Sequence, residues 1–452
     1  MKGKRIAVTG MGRSGVAIAI AAAKRGAVVA LYDEKTLETP EQFALVDTLQ
    51  GHGVDVVPGW HGRFESPSFD LLVTSPGFRR NHPALRDAQA ANKVIWSEVE
   101  FAYQISEAPI VAVTGTNGKS TTVVMTWLMA GSNAVLCGNL SGSGYPELTL
   151  TEAADASTPD QVLIAEISSF QLEWVQDFAP KVAAITNISP DHLDRHPDFA
   201  DYRDTKLRLF ANMGAGDTVV VNQNAQPFVE ILSAIPSGVD VRFIGDADGS
   251  SKFGPTTLTL SGLGAVPLSE FPWTGMLNTV NATMAWELAS AALGEEANPQ
   301  QMVAALKGFR GLANRMERLG SYHGVAIVNN SMCTNPAAVI ANSEATGGRQ
   351  ILLMGGVTKE LDFSPVRDYL TAQHHEVILF GPDSDLQEQL NRPWPRTNTL
   401  AEAFDLAMAR AQDGDTVMLS PGCASAAPYL NFRERGDAFR AIVADWLDAH
   451  KS

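Results

Sequence analysis

The sequence predicts an α/β protein of three domains, each built on an open, mostly parallel sheet. Three observations carry this. Short apolar, β-branched runs recur along the chain and alternate with helical stretches, as strands buried on both faces do. Two of those runs end in glycine-rich turns that open helices, at residues 10–15 and 115–118. The 452 residues leave room for three units of about 150 residues each.

The first element, Lys4-Arg5-Ile6-Ala7-Val8-Thr9-Gly10, reads as a buried strand running into Gly10-x-Gly12-x-x-Gly15. An alanine-rich helix extends to Arg25-Gly26, and a strand over residues 27–32 ends at Asp33. Glycines, helix, strand and a carboxylate about 20 residues on make a Rossmann-like nucleotide fold, whose usual ligand is NAD. The rest of the chain argues against NAD. A further strand from Phe69 ends in the turn Ser75-Pro76-Gly77 at the same expected sheet edge. Residues 97–109 read as the connection to the next domain.

The second segment is organised around Thr114-Gly115-Thr116-Asn117-Gly118-Lys119-Ser120-Thr121. A buried strand precedes it and a helix follows. Backbone N–H groups at such a turn have no intrahelical partner and cradle phosphate oxygens. Lys119 supplies a point charge and the Ser120 hydroxyl is placed to ligate Mg²⁺. The first glycine of the general pattern falls at Val113 instead. Two more strands follow. Residues 162–167 carry Glu166, and residues 181–188 lead to Asp191-His192. Parallel sheets bind ligands at the carboxyl ends of their strands, which puts Glu166 and His192 beside Lys119 and Ser120. Taken alone, Glu166 is also readable as a partnered structural acid and His192 as a capping histidine.

On a helix over residues 197–210, Phe199, Tyr202, Leu209 and Phe210 share a stripe on which Lys206 falls. A lysine there either snorkels its charge to water or sits as a desolvated, neutral amine. Such an amine can react with CO₂ to give a carbamate that ligates a cation. The stretch 274–282 opens a long helix expected over residues 283–293; Asn278 and Asn281, three apart on one face of it, can read a base edge or form a polar first turn. The third segment alternates strands and helices again, with strands at residues 325–330, 350–356, 376–381 and 416–425.

Composition narrows the class. A net charge of −16 disfavours nucleic acid, whose phosphates need a basic surface, but permits a nucleotide at a locally positive site. No apolar run approaches the roughly 18 residues of a membrane span. Met1-Lys2-Gly3-Lys4-Arg5 leads into folded-domain patterning and not a cleavage site, so the expected location is the cytoplasm. Three scattered cysteines make neither a disulfide framework nor a zinc ribbon.

Together these residues resemble the Mur ligase family, ATP-dependent amide ligases of peptidoglycan precursor synthesis. The phosphate loop, Glu166-Ile167-Ser168-Ser169-Phe170-Gln171-Leu172-Glu173, Asp191-His192, Tyr202-Arg203-Asp204-Thr205-Lys206, residues 311–317 and residues 420–432 fall in family order. The resemblance covers essentially the whole chain and is strongest to the glutamate-adding branch. It implies a UDP-substrate domain (1–97), a central P-loop ATPase-type domain (98–311) and a Rossmann-like amino-acid domain (312–452). ATP would be held by Gly115, Thr116, Asn117, Gly118, Lys119, Ser120, Thr121, Asn278, Asn281 and Arg315. Ser120 and Glu166 would bind one Mg²⁺, His192 and a carbamylated Lys206 a second; Lys119, Glu166, His192 and Lys206 would carry catalysis. Arg13, Ser14, Asp33, Gly77 and Asn139 match the contacts to UDP-N-acetylmuramoyl-L-alanine, which explains a nucleotide fold without NAD. Thr334, Lys359, Ser425 and Phe432 match the glutamate contacts, and a monomer is expected.

Departures cluster on the amino-acid side. Where the branch carries Asp-Ser-Lys-Ala-Thr-Asn, this chain has Asn330-Ser331-Met332-Cys333-Thr334-Asn335; a family histidine is Asn314, and Phe-Asp-Gln-Phe-Lys becomes Ala426-Ala427-Pro428-Tyr429-Leu430. These changes suggest altered handling of that substrate, and the expectation leans to L-glutamate over D-glutamate. The rivals are a Mur ligase for another amino acid, a degenerate UDP-sugar-binding regulatory protein and an NAD-dependent oxidoreductase.

Overall fold

The structure, a computed structural model, describes every residue except 193–194, 246–248, 274, 359–360, 382–384, 426 and 451–452. The chain divides into two compact units, Met1–Ser141 with Pro146–Phe309, and Gly142–Tyr145 with Arg310–Ser452.

The first unit contains two sheets. β1 (Arg5–Thr9), β2 (Val28–Tyr32), β3 (Val54–Val57), β4 (Leu71–Thr74) and β5 (Val94–Ser97) pair in the order β3-β2-β1-β4-β5, all parallel. The strand order reverses between β1 and β4, which opens a crevice above their carboxyl ends. The second sheet holds β6 (Ile110–Thr114), β7 (Ala134–Gly138), β8 (Val162–Glu166), β9 (Val182–Ile185), β10 (Thr218–Asn222), β11 (Asp240–Gly245), β12 (Ser251–Phe253), β13 (Thr257–Leu260) and β14 (Gly264–Pro267). Their order is β14-β13-β12-β11-β10-β9-β6-β8-β7, with only the β12-β13-β14 edge antiparallel. β6, β8 and β9 are buried at every position, so the loops after them meet over the middle of the sheet.

Residues 97–109 are not a plain connection. Glu98–Ile105 is a helix capped by Ser97 and buried at Glu98, Val99, Glu100, Phe101, Ala102 and Ile105. Its apolar residues join one core that runs through both sheets. The long helix that the stretch 274–282 opens begins at Met276 and runs to Leu293. Phe199–Leu207 is helical and continues as a 3₁₀ turn over Arg208–Phe210.

The second unit has one sheet, β15 (Glu317–Tyr322), β16 (Val325–Asn329), β17 (Gln350–Met354), β18 (Glu376–Phe380), β19 (Arg396–Thr397) and β20 (Thr416–Leu419). Its order is β15-β16-β20-β17-β18-β19, with only β15 antiparallel. Separate cores cover its faces, one around Phe404 and Phe439, the other around Phe363 and Val366. No described helix is long and apolar enough to cross a membrane.

Candidate active site

The phosphate-loop sequence forms the strand–turn–helix it predicts. β6 leads into residues 115–118, and Gly118, left-handed at φ 86°, opens the helix Lys119–Ala130. A Cβ on Gly115 would come within 2.0 Å of Thr186 Oγ1, so only glycine fits there. The segment after β9 fastens the turn. Thr186 Oγ1 and Asn187 Nδ2 donate to Asn117 O at 2.6 and 3.0 Å, and Thr116 N donates to Asn187 O at 2.9 Å. Lys119 Nζ folds back to donate to Thr116 O at 2.9 Å. Asn281 braces the loop: its Oδ1 accepts from Thr122 Oγ1 at 3.4 Å and would lie 2.5 Å from a Cβ on Gly118. Asn278 lies half-buried in the first turn of the same helix, three residues before Asn281.

Glu166 closes the carboxyl end of β8 and is 3% exposed. Ser120 Oγ donates to Glu166 Oε2 at 2.6 Å, and Asn139 Nδ2 to Oε1 at 3.2 Å. A buried carboxylate answered by two neutral donors suits a hard cation, and Mg²⁺ takes only one or two protein ligands alongside phosphate oxygens and water. Among the described residues no group of three or more His, Cys, Asp or Glu could hold a metal unaided. Asn139, expected at the UDP substrate, is thus a neighbour of the Glu166 carboxylate.

Lys206 is the desolvated amine, not the snorkelling one. It is 2% exposed, donates to Gly115 O at 2.8 Å and Thr114 Oγ1 at 3.4 Å, and lies 4.7 Å over the Tyr202 ring. Burial, reinforced by the charge of Lys119, holds its amine well below the usual lysine range. His192 is half-exposed, left-handed at φ 53°, with its ring 4.9 Å from that of Phe170.

At the edge of the first sheet, Arg13 and Ser14 start the helix Arg13–Lys24. The Asp33 carboxylate accepts from Met11 N at 2.6 Å and Lys35 N at 2.8 Å, so it shapes the glycine turn. Ser14 Oγ donates at 2.6 Å to Glu98, whose carboxyl is pushed up by burial. Arg13 bonds the Glu147 carbonyl and lies 3.7 Å from Glu152. Gly77 sits in the turn after β4, with nothing within 4 Å of where a Cβ would be.

In the second unit Thr334, Ser425, Phe432 and Arg315 are all half-buried, and Lys359 lies outside the described residues. Met332 Sδ, at the position of the family lysine, is 3.1 Å from Arg315 Nη2. Asn330 accepts from Met316 N at 3.2 Å, while its buried Nδ2 has no hydrogen-bond partner among the described residues. The Ser425 hydroxyl is likewise buried and has no hydrogen-bond partner among the described residues. Asn314, in place of the histidine, accepts from Asn329 Nδ2 and Arg440 Nη2, both at 3.1 Å.

Sequence reasoning missed four residues. Arg435, 1% exposed, donates to Ser331 O, Gly355 O and Cys423 O, and burial lowers its guanidinium to about 10. It sits on a helix buried at Arg435, Phe439 and Val443, the same stripe signal that singled out Lys206. Arg80 and Arg195 bond across long stretches of chain, to Asp201 and to Pro76, and His196 bonds Asp201 and Ser169.

Comparison with known proteins agrees with these motifs. Residues 113–289 match the Mur ligase middle domain and residues 314–423 the Mur ligase glutamate ligase domain. A UDP-N-acetylmuramoylalanine--D-glutamate ligase from Pelotomaculum thermopropionicum is 35% identical over 457 residues, covering 97% of both chains. The enzyme of that name from Lactococcus lactis subsp. lactis is 33% identical, covering 97% of this chain and 96% of its own. Among solved structures, UDP-N-acetylmuramate-alanine ligase from Thermotoga maritima has the same fold, at TM-score 0.56 and 16% identity over 99% of this chain and all of that one. MurF ligase from the same organism, in complex with ADP, gives TM-score 0.57 at 14% identity over 99% of this chain and 96% of its own.

Proposed function

The chain belongs to the Mur ligase family, and from that premise we propose that it joins glutamate to UDP-N-acetylmuramoyl-L-alanine. Family membership makes it an ATP-dependent amide-bond ligase of peptidoglycan precursor synthesis. The observation that carries the site is the buried Glu166 carboxylate on Ser120 Oγ, directly behind a phosphate loop that keeps Lys119. A chain that had drifted into a mere UDP-sugar binder would have no reason to keep it.

We assign residues 1–97 to the UDP substrate, 98–311 to ATP and 312–452 to the amino acid. The substrate carboxylate attacks the γ-phosphate of ATP and gives an acyl phosphate and ADP. The glutamate amine then attacks that carbonyl, and phosphate leaves from the tetrahedral intermediate. Loop N–H groups and Lys119 hold the phosphates in line and offset charge on their oxygens. Ser120 with Glu166, and His192 with Lys206, would hold two Mg²⁺ ions, which neutralise further oxygen charge when bound. Carbamylation of Lys206 would form an N–C bond to CO₂ with loss of one N–H proton, turning a buried amine into an anionic ligand. Asn278, Asn281 and Arg315 would hold the adenine nucleotide. The enzyme is read as a cytoplasmic monomer.

For the enantiomer, the lean to L-glutamate finds no support. Full-length relatives carry D-glutamate in their names, and the changed Met332 engages the retained Arg315. D-glutamate is therefore the substrate we propose. Phosphate release tests this: it should require ATP, UDP-N-acetylmuramoyl-L-alanine and D-glutamate together. Release with L-glutamate alone would overturn the enantiomer, and silence with every amino acid would overturn the ligase.

A further inference from the structure

Two arginines cross between the first and second sheets in opposite directions, one ending at the Gly77 turn and the other starting three residues after it. Arg195 comes from the segment after β9. Its side chain is 7% exposed, pairs with Glu173 at 2.9 Å and stacks 3.9 Å from the Phe170 ring centre. Its two terminal nitrogens donate to Pro76 O at 2.6 Å and Phe78 O at 2.8 Å, the carbonyls on either side of Gly77. Arg80 runs the other way, from the loop after β4 to the helix Phe199–Leu207. Its Nη1 donates to Asp201 Oδ1 at 2.7 Å and its Nη2 to Thr205 Oγ1 at 2.6 Å. Thr205 is the residue before Lys206. The other Asp201 oxygen accepts from His196 Nδ1 at 2.7 Å, and His196 Nε2 lies 3.1 Å from Ser169 Oγ, three residues after Glu166.

The two links differ in kind. Arg195 and Glu173 are a buried pair, and removing one partner would strand the other charge. That makes Arg195 a fixed anchor. Arg80 and Asp201 are 35% and 28% exposed, so their link can open without leaving a buried ion. A planar guanidinium spanning two side chains one helical turn apart also fixes where that helix sits, which a point charge does not.

We propose that Arg80 is a positioning residue that couples filling of the Gly77 turn to the setting of the Lys206 helix. Binding of the UDP-linked substrate then tightens the site where ATP reacts, and ATP reciprocally tightens the UDP site. The inference rests on the proposed function for the identity of both ligands. It extends that reading by giving the two nucleotide sites a physical link.

Calorimetry with the full chain tests it. The affinity of a non-hydrolysable ATP analogue with Mg²⁺ is measured with and without UDP-N-acetylmuramoyl-L-alanine. Wild type should show a gain on the order of tenfold, within the usual range of coupling between sites. Arg80→Met should reduce the gain to about threefold or less, while each ligand alone binds within about twofold of wild type. Arg80→Lys, which keeps the charge but not the fork, should recover part of the gain. An unchanged gain in Arg80→Met, or no gain in wild type, overturns the proposal. Loss of both individual affinities together with a lower Tm also overturns it, because Arg80 would then be merely structural. Failure of wild type to bind the UDP substrate at all refutes the functional reading instead, and the coupling with it.

Discussion

Replacing Lys206 by methionine should stabilise the protein while disabling it. The amine makes one good hydrogen bond, to Gly115 O at 2.8 Å, and one long one, to Thr114 Oγ1 at 3.4 Å. At about 1 kcal/mol net per hydrogen bond, losing both costs roughly 1–2 kcal/mol. Against this stands the burial of an amine 2% exposed, with no carboxylate paired to it among the described residues. Taking such a group out of water costs several kcal/mol, and methionine of similar length removes that cost without opening a cavity. The balance favours the variant by about 1–3 kcal/mol, a Tm rise of about 2–5 °C in metal-free, CO₂-depleted buffer. Turnover should fall by about 10²–10³, the usual loss when one group that stabilises developing charge is removed. Lys206→Ala, which leaves space, should regain part of its activity with added acetate, and Lys206→Met should not. Phosphate release and scanning calorimetry on the three proteins check this. A destabilised methionine variant with near-normal turnover would refute the reasoning and return Lys206 to a packing role.

Three further outcomes follow from the geometry. Lys119→Ala should abolish turnover yet leave UDP-substrate affinity within about twofold by calorimetry, because Lys119 bonds its own phosphate loop at Thr116 O and the UDP substrate is assigned to residues 1–97. Gly118→Ala adds a Cβ at φ 86° that meets Asn281 Oδ1 at 2.5 Å, so the KM for ATP should rise about tenfold or more with the UDP-substrate KM unchanged. For Asp155, burial pushes the carboxyl up, but hydrogen bonds from Lys24 and Arg25 outweigh it and hold it below its usual 3.8. Its stabilisation is thus present above pH 3.8 and lost as pH falls through the lowered value. Asp155→Asn should cost about 1 kcal/mol at pH 7, and its denaturation midpoint should converge on wild type in strong acid.

What the sequence made legible was local. Strands such as 110–114 and 162–166 are apolar runs whose burial on both faces follows from composition, and Lys206 stood out because its helix period put it on an apolar stripe. The sequence marks residues 97–109 as a connection but not the buried helix Glu98–Ile105 within it. Its two carboxylates are buried: Glu98 accepts from Ser14, and Glu100 from the backbone N–H groups of Gln176, Asp177 and Phe178. Those partners lie up to 84 residues away, beyond any window of pattern. The helix that the stretch 274–282 opens starts at Met276, inside that stretch, although Gly275 gives it no side-chain cap. Asn139 and Asn281 were placed near ligands by resemblance, yet their amides also act on the protein itself, bonding Glu166 and Thr122.

The central claim is that a carboxylate is activated as an acyl phosphate beside Lys119, Ser120 and Glu166 before an amine captures it. The most direct test uses UDP-N-acetylmuramoyl-L-alanine carrying ¹⁸O in both oxygens of its free carboxylate, turned over with ATP and D-glutamate. Mass spectrometry should find one ¹⁸O in the released phosphate and the other in the new amide carbonyl, because the carboxylate oxygen that attacks phosphorus leaves with it. Phosphate free of ¹⁸O, with amide product still formed, would contradict the account.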